Sequence, residues 1–179
     1  FVTEQFFPVW DCTSRYSFIN NSSTYGIWCS ASRFREQISQ NNFVNSWGGS
    51  LPQTHGIYLL NGGSVISSNT FTDLSYSIYL NSLYWPAIIE NNDIEINEQV
   101  NSTLAPIYIA TTTTPLIEIN NNKISDNYHQ FNCFAAIYSV NSRNISIMNN
   151  AIDGFSYGIY ISPGRNIQIS SNEIVNSDI

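Results

Sequence analysis

Few residues of this sequence are typical of acid–base catalysis, and those few lie far apart. The 179 residues include only two histidines, His55 and His129, and both fall in segments that we predict to be long loops. Asp126, three residues before His129, gives the only local pairing of a carboxylate with an imidazole, a combination used in general acid–base catalysis. No aspartate pair on neighbouring predicted strands offers the acid and base of glycoside hydrolysis. We therefore expect both histidines to be structural or surface residues.

Acidic residues cluster in one short segment, at Glu90, Asp93, Glu95 and Glu98. Carboxylate oxygens are ligands that calcium prefers, so Asp93, Glu95 and Glu98 are candidate calcium ligands. The alternative is that these side chains occupy the solvent-facing positions of a strand. We predict no cofactor and no metal site, with calcium at this cluster as the alternative.

Composition argues against several classes of partner and site. Charged residues make up 11% of the chain and the net charge is -7, so we expect no nucleic-acid partner. No run of eighteen apolar residues is present to span a membrane. The three cysteines, Cys12, Cys29 and Cys133, match no zinc-binding spacing and allow at most one internal disulfide, whose existence the sequence leaves open.

Four tripeptides fit the acceptor pattern for N-glycosylation, and they begin at Asn20, Asn21, Asn101 and Asn144. We expect all four asparagines to lie in turns or loops. A chain rich in Asn, Ser and Thr also produces such tripeptides by chance. Together with the low lysine content, they favour a glycosylated protein that is extracellular or on a cell surface.

The strongest pattern is a repeat of one asparagine per 22 to 30 residues. Each asparagine has Ile three residues before it and Phe or Ile two residues after it. The repeated residues are Asn41, Asn69, Asn92, Asn122, Asn150 and Asn172. We expect them to form sharp bends with left-handed backbone angles, and to hydrogen-bond to one another as a ladder.

A second repeat alternates with the first, and it consists of an aromatic residue between two mostly apolar ones. The central residues are Trp28, Tyr58, Tyr79, Tyr108, Tyr138 and Tyr160, which we call the aromatic row. If flanking residues such as Ile57 and Leu59 point inward, the row points outward. Three interpretations stay open: the rings stack on one another, they bind sugar rings with help from Tyr84 and Trp85, or they pack against another subunit.

These repeats predict an all-β fold, a right-handed parallel β-helix of about six to seven coils with three short strands in each coil. Each coil would add one apolar layer at a spacing of about 4.8 Å, and the longer repeats would carry loops. Residues 1–179 form one domain in this prediction, with residues 1–15 as an irregular segment or an incomplete first coil. Neither end shows a capping helix, so we expect a piece of a longer β-helix or a subunit that stacks end to end.

From about Cys12 to Ile179 the chain resembles the parallel β-helix repeat proteins of the pectate-lyase-like superfamily, especially those built of repeats alone. That superfamily includes polysaccharide lyases, glycoside hydrolases, epimerases, tailspikes and adhesins, so the resemblance implies the fold and is nearly silent on function. The polygalacturonase motifs Asn-Thr-Asp, Asp-Asp, Gly-His-Gly and Arg-x-Lys are absent, as is the Asp-Pro-His of alginate epimerases. The basic residues that a lyase would need, Lys123, Arg143 and Arg165, are scattered.

These observations lead to three hypotheses about function. The first is a non-enzymatic extracellular structural protein, a β-helical building block of a surface fibre, filament or layer, whose partners are further β-helix coils or copies of itself. The second is a carbohydrate-binding or adhesive module that uses the aromatic row with Tyr84 and Trp85. The third is a fragment of a polysaccharide lyase or glycoside hydrolase.

Overall fold

The computed structural model describes residues 17–20, 25–30, 35–45, 54–97, 105–112, 116–128 and 133–177. Their regular structure consists of seventeen β-strands. The strands are Ser17–Asn20 (β1), Tyr25–Ser30 (β2), Arg35–Ser39 (β3), Asn42–Asn45 (β4), His55–Leu60 (β5), Gly63–Ser67 (β6), Thr70–Thr72 (β7), Tyr76–Asn81 (β8), Ala87–Glu90 (β9), Asp93–Ile96 (β10), Ile107–Ala110 (β11), Ile117–Asn120 (β12), Lys123–Asp126 (β13), Ala135–Met148 (β14), Ala151–Asp153 (β15), Tyr157–Ser170 (β16) and Glu173–Val175 (β17). The described residues include no helix that is long and apolar enough to cross a membrane.

The strands form three parallel rows that the chain visits in turn. The first row runs β1-β4-β7-β10-β13-β15-β17. The other sheet holds the second row, which begins β2-β5-β8-β11, and the third row, which begins β3-β6-β9-β12. The long strands β14 and β16 join these two rows, because the first half of β14 pairs with β11 and its second half with β12. Every pairing is between strands one coil apart, so the predicted all-β parallel β-helix is confirmed.

One apolar file of the first row shows how the coils build a continuous core. Phe43, Phe71, Ile94, Ile124 and Ile152 are partners in consecutive strand pairs, and each is at most 1% exposed. The two phenylalanine rings stack in parallel, with centroids 4.8 Å apart. Each coil thus contributes one side chain to the file, which fixes the spacing of apolar residues while loop lengths vary.

Glycine in the second row makes room for these phenylalanines. A Cβ atom on Gly56 would lie 2.8 Å from the Phe71 ring and 2.6 Å from the carbonyl oxygen of Ser77. Gly26 has the same relation to Phe43 one coil earlier. Glycine at this position therefore follows from the large side chain that faces it.

The bends correct one prediction from the sequence. The repeated asparagines do not take left-handed backbone angles; the residue immediately before each of them does, with φ between 55° and 59°. These residues are Gln40, Ser68, Asn91, Asn121, Asn149 and Ser171, and all of them are exposed. The preceding residue makes the turn, and the asparagine can then direct its amide into the stack.

Candidate functional site

The repeated asparagines form a hydrogen-bonded ladder along the rod. Asn92 Oδ1 accepts hydrogen bonds from the backbone N–H and from Nδ2 of Asn69, both at 3.0 Å. Asn92 Nδ2 donates to Asn122 Oδ1 at 2.9 Å and to the carbonyl oxygen of Ile66 at 3.0 Å. The same two bonds to the next asparagine link Asn41, Asn69, Asn92, Asn122, Asn150 and Asn172 in order. In the interior of this ladder the amides bond to neighbouring coils and not outward.

The tyrosines of the aromatic row stack face to face. The successive centroid distances are 4.9 Å for Tyr58–Tyr79, 4.7 Å for Tyr79–Tyr108, 5.3 Å for Tyr108–Tyr138 and 5.2 Å for Tyr138–Tyr160, with interplanar angles of at most 25°. Trp28 meets Tyr58 edge-on at 6.1 Å and is 41% exposed. The stacked tyrosines are half-buried. Inside the stack each ring face is covered by its neighbours, which leaves ring edges and hydroxyl groups toward solvent.

Sequence reasoning missed a second set of aromatic residues beside the row. His55 stacks on Tyr76 with a centroid distance of 4.9 Å, and Phe134 packs on Tyr157 at 4.6 Å. His55, Tyr76 and Tyr157 each stand three residues before a tyrosine of the row, and this spacing is the signal in the sequence. Their rings meet the row edge-on, so they brace the stack from the side.

The structure also corrects the placement of His55. This residue begins β5 and is 8% exposed, whereas the sequence placed it in a long loop. Its ring contacts Tyr58 and Tyr79 edge-on, in addition to stacking on Tyr76. The aromatic neighbours thus give His55 a packing role.

The candidate pair of Asp126 and His129 is described only in part, because His129 lies outside the described residues. Asp126 is fully buried at the end of β13. Its Oδ1 accepts a hydrogen bond of 3.0 Å from the backbone N–H of Tyr128. This carboxylate therefore stabilises the turn that follows its strand.

A lysine occupies the centre of the acidic cluster. Lys123 Nζ lies 3.1 Å from Glu95 Oε1 and 3.5 Å from Asp93 Oδ1. The hydrogen bond that Lys123 Nζ donates to Glu95, followed by the charge of Asp93, raises the pKa of Lys123. Glu98 lies outside the described residues, and within them no group of three or more His, Cys, Asp or Glu is placed to hold a metal.

Burial keeps two phenols of the aromatic cluster protonated. It raises the pKa of Tyr76 to about 12, with smaller contributions from Tyr108 and Cys133. Burial, followed by the neighbouring Tyr138, also raises the pKa of Tyr108. Neither phenol is therefore poised to act as a base or nucleophile near neutral pH.

Two of the four glycosylation candidates lie among the described residues. Asn20 is the last residue of β1, and Asn144 lies inside β14 at a bend with φ of 56°. The Oδ1 of Asn144 accepts a hydrogen bond of 2.9 Å from Asn166 Nδ2. Asn21 and Asn101 fall outside the described part of the chain.

The cysteines are covered only in part. The thiol of Cys133 is fully buried. Cys12 and the side chain of Cys29 lie outside what the structure describes, so the predicted limit of one internal disulfide stays a prediction.

Tyr84 and Trp85 do not join the aromatic row. They lie at the bend between β8 and β9, and their side chains are 63% and 47% exposed. Trp85 packs against Gly63, where an added Cβ would lie 2.5 Å from the Trp85 Cβ. Among the described residues neither ring contacts another aromatic ring, so these two form a separate surface.

Comparison with known proteins gives one match. No curated protein and no solved structure matches this chain. The family model described as a right-handed β-helix region matches residues 25–179. With the parallel rows described above, this match shows that the chain belongs to the right-handed β-helix family.

Proposed function

We propose that this chain is a non-enzymatic structural β-helix, a rigid building block of an extracellular fibre or layer. The observation that carries the proposal is that each of the two repeated side chains contacts the equivalent side chain in the next coil. The ladder asparagines hydrogen-bond to one another, and the tyrosines of the aromatic row stack on one another. Such contacts stiffen a rod along its axis, as in stacked cross-β assemblies.

The same geometry makes the aromatic row a poor site for sugars. A sugar ring packs on an exposed aromatic face, but Tyr79, Tyr108 and Tyr138 cover one another's faces. Only ring edges and hydroxyl groups face outward along the stack. The row therefore supports a mechanical role better than carbohydrate binding.

An extracellular location and N-linked glycans are part of the proposal. The low charge content and the four acceptor tripeptides support them, and Asn144 is half-buried at a bend with its amide near the surface. Enzymatic removal of N-glycans should lower the mass of the native chain toward 20.2 kDa. Asn144→Gln should remove one glycan increment, while Asn141→Gln, which alters no acceptor tripeptide, should remove none.

Electron microscopy of the native material tests the structural role directly. We expect fibres or sheets built of rods that antibodies against this chain label along their length. A panel of neutral and acidic polysaccharides, incubated with the same material, should show no cleavage. Dispersed single particles that degrade one of these polymers would overturn the proposal and favour an enzyme.

A further inference from the structure

Two arginines stand one above the other on adjacent coils. Arg143 in β14 and Arg165 in β16 are register partners, and both are exposed. They are two of the six Lys and Arg residues in the chain. Neither forms a salt bridge with another described residue, and like charges at directly opposed positions destabilise a strand pair. An anionic partner would relieve this repulsion.

Exposed apolar side chains share the corner with these arginines. Trp85 lies at the bend between β8 and β9, which forms the same corner of the rod as Arg143 and Arg165 form in later coils. Leu116 immediately precedes β12 at this corner and is 45% exposed, while Trp85 is 47% exposed. We call Trp85, Leu116, Arg143 and Arg165 the arginine edge. Aromatic residues and arginine are the residue types enriched in protein interfaces.

The first row of strands presents the opposite charge. Its outward residues include Asp93, Glu95, Asp153 and Glu173, with Lys123 as the cation among them, and we call this the acidic face. Asp153 follows Arg143 within one coil, and Glu173 follows Arg165 within the next. The two acids therefore lie one coil apart along the axis, at about 4.8 Å as the two arginines do, but they are offset by two residues along the strand, because Asp153 pairs with Val175 and Glu173 pairs with Ala151.

The edge and the face lie on different sides of the rod. The arginine edge belongs to the corner between the second and third rows, which is the one corner that the first row does not form. A molecule therefore cannot pair its own edge with its own face. It can offer both surfaces at once to two neighbours.

We propose that the arginine edge binds the acidic face of a second copy of this chain, with the rods side by side. This inference rests on the proposed structural function and names the partner surface for lateral assembly. Arg143 and Arg165 would approach Asp153 and Glu173 of the neighbour, while Trp85 and Leu116 would supply apolar contact. Because the two surfaces differ, the contact is heterologous and extends into an open row of rods rather than closing as a dimer.

Charge reversal on each surface tests the contact. We expect Arg143→Glu with Arg165→Glu to weaken lateral association at least about tenfold in sedimentation velocity at low salt. Asp153→Arg with Glu173→Arg should do the same, and an equimolar mixture of the two variants should restore association. The control Lys123→Gln removes a cation from the acidic face, so association should hold or strengthen. Urea unfolding of each variant would show that the rod is intact.

The alternative outcomes separate this inference from the proposed function. Fibres or sheets that assemble normally from both charge-reversed variants would overturn the inference and leave the structural role standing. A wild-type chain that stays monomeric, and whose arginine edge instead binds an acidic polysaccharide, would overturn it in favour of a different partner. Failure of the native material to form any assembly in the microscope would overturn the proposed function as well.

Discussion

The asparagine ladder makes a quantitative prediction at Asn92, in the interior of the rod. Asn92→Ala removes the acceptor for two donors of Asn69, its backbone N–H and one hydrogen of its Nδ2. It also removes a donor from the carbonyl oxygen of Ile66. Asn69 and Asn92 are 1% and 2% exposed, so water cannot readily replace these bonds. At about 1–3 kcal/mol for each of these three unsatisfied buried groups, we expect a loss of about 3–9 kcal/mol in the free energy of unfolding.

The matched control is Asn172→Ala, at the last asparagine of the ladder. Asn172 accepts the same two bonds, from the backbone N–H and Nδ2 of Asn150, but it is only half-buried. Water can reach that site, so the expected loss is about 1 kcal/mol. Equilibrium unfolding in urea, followed by circular dichroism, measures both variants against the wild type. Equal small losses at the two positions would refute the view that the ladder stabilises the core.

A charged isostere at the same position adds a test by pH. In Asn92→Asp the new oxygen replaces Nδ2 and faces two acceptors, Asn122 Oδ1 and the carbonyl oxygen of Ile66. Burial and these acceptors should raise the pKa of the introduced carboxyl above its unfolded value of about 3.9. The variant should therefore approach wild-type stability below about pH 4 and lose stability as pH rises through the folded pKa. A stability difference that is constant between pH 4 and pH 8 would contradict this reasoning.

Three further predictions concern the packing beside the ladder. Gly56→Ala should cost about 1–3 kcal/mol because its Cβ would meet the Ser77 carbonyl oxygen and the Phe71 ring, and Phe71→Ile should recover only the part due to the ring in a double-mutant cycle. Tyr108→Ala should cost about 2 kcal/mol by opening a gap between two stacked neighbours, whereas Tyr108→Phe should cost far less in the same urea assay. The pKa of Tyr76 is raised to about 12, so the stability that its protonated phenol contributes is complete below pH 10 and is lost as pH rises toward 12; absorbance titration should show late phenols, one of which Tyr76→Phe removes.

The repeats predicted the fold because each coil must meet the same geometric requirement. An isoleucine three residues before each ladder asparagine and an apolar residue two after it mark the third and first rows in every coil. Ile89, Ile94, Ile119 and Ile124 are fully buried at these positions. Loops can lengthen without disturbing this pattern, so the apolar residues keep the same spacing from the ladder asparagine although the repeat length varies. That regularity made a parallel β-helix predictable from one sequence.

Local departures from alternation could not be predicted in the same way. Strict period-two alternation would point His55 to the side opposite Tyr58, yet the two rings are in contact, and His55, Gly56 and Ile57 are all buried in succession. The left-handed backbone angle occurs one residue before each ladder asparagine and not at the asparagine itself. The sequence could not distinguish these two positions, because asparagine and serine are both common at bends. Only coordinates show that Lys123 lies between Asp93 and Glu95, since the partners are one coil apart.

The same distinction between regular and irregular positions bears on where binding should be sought. A side chain repeated in every coil has an identical neighbour about 4.8 Å above and below, so an amide or a ring at that position satisfies itself along the axis. A residue that occurs in only one or two coils lacks an identical neighbour on at least one side and must find a different partner there. Trp85, Leu116, Arg143 and Arg165 are of this kind, and all are exposed on one edge. In this rod the repeated side chains join one coil to the next, and the exceptions to the repeat are where we expect recognition of another molecule.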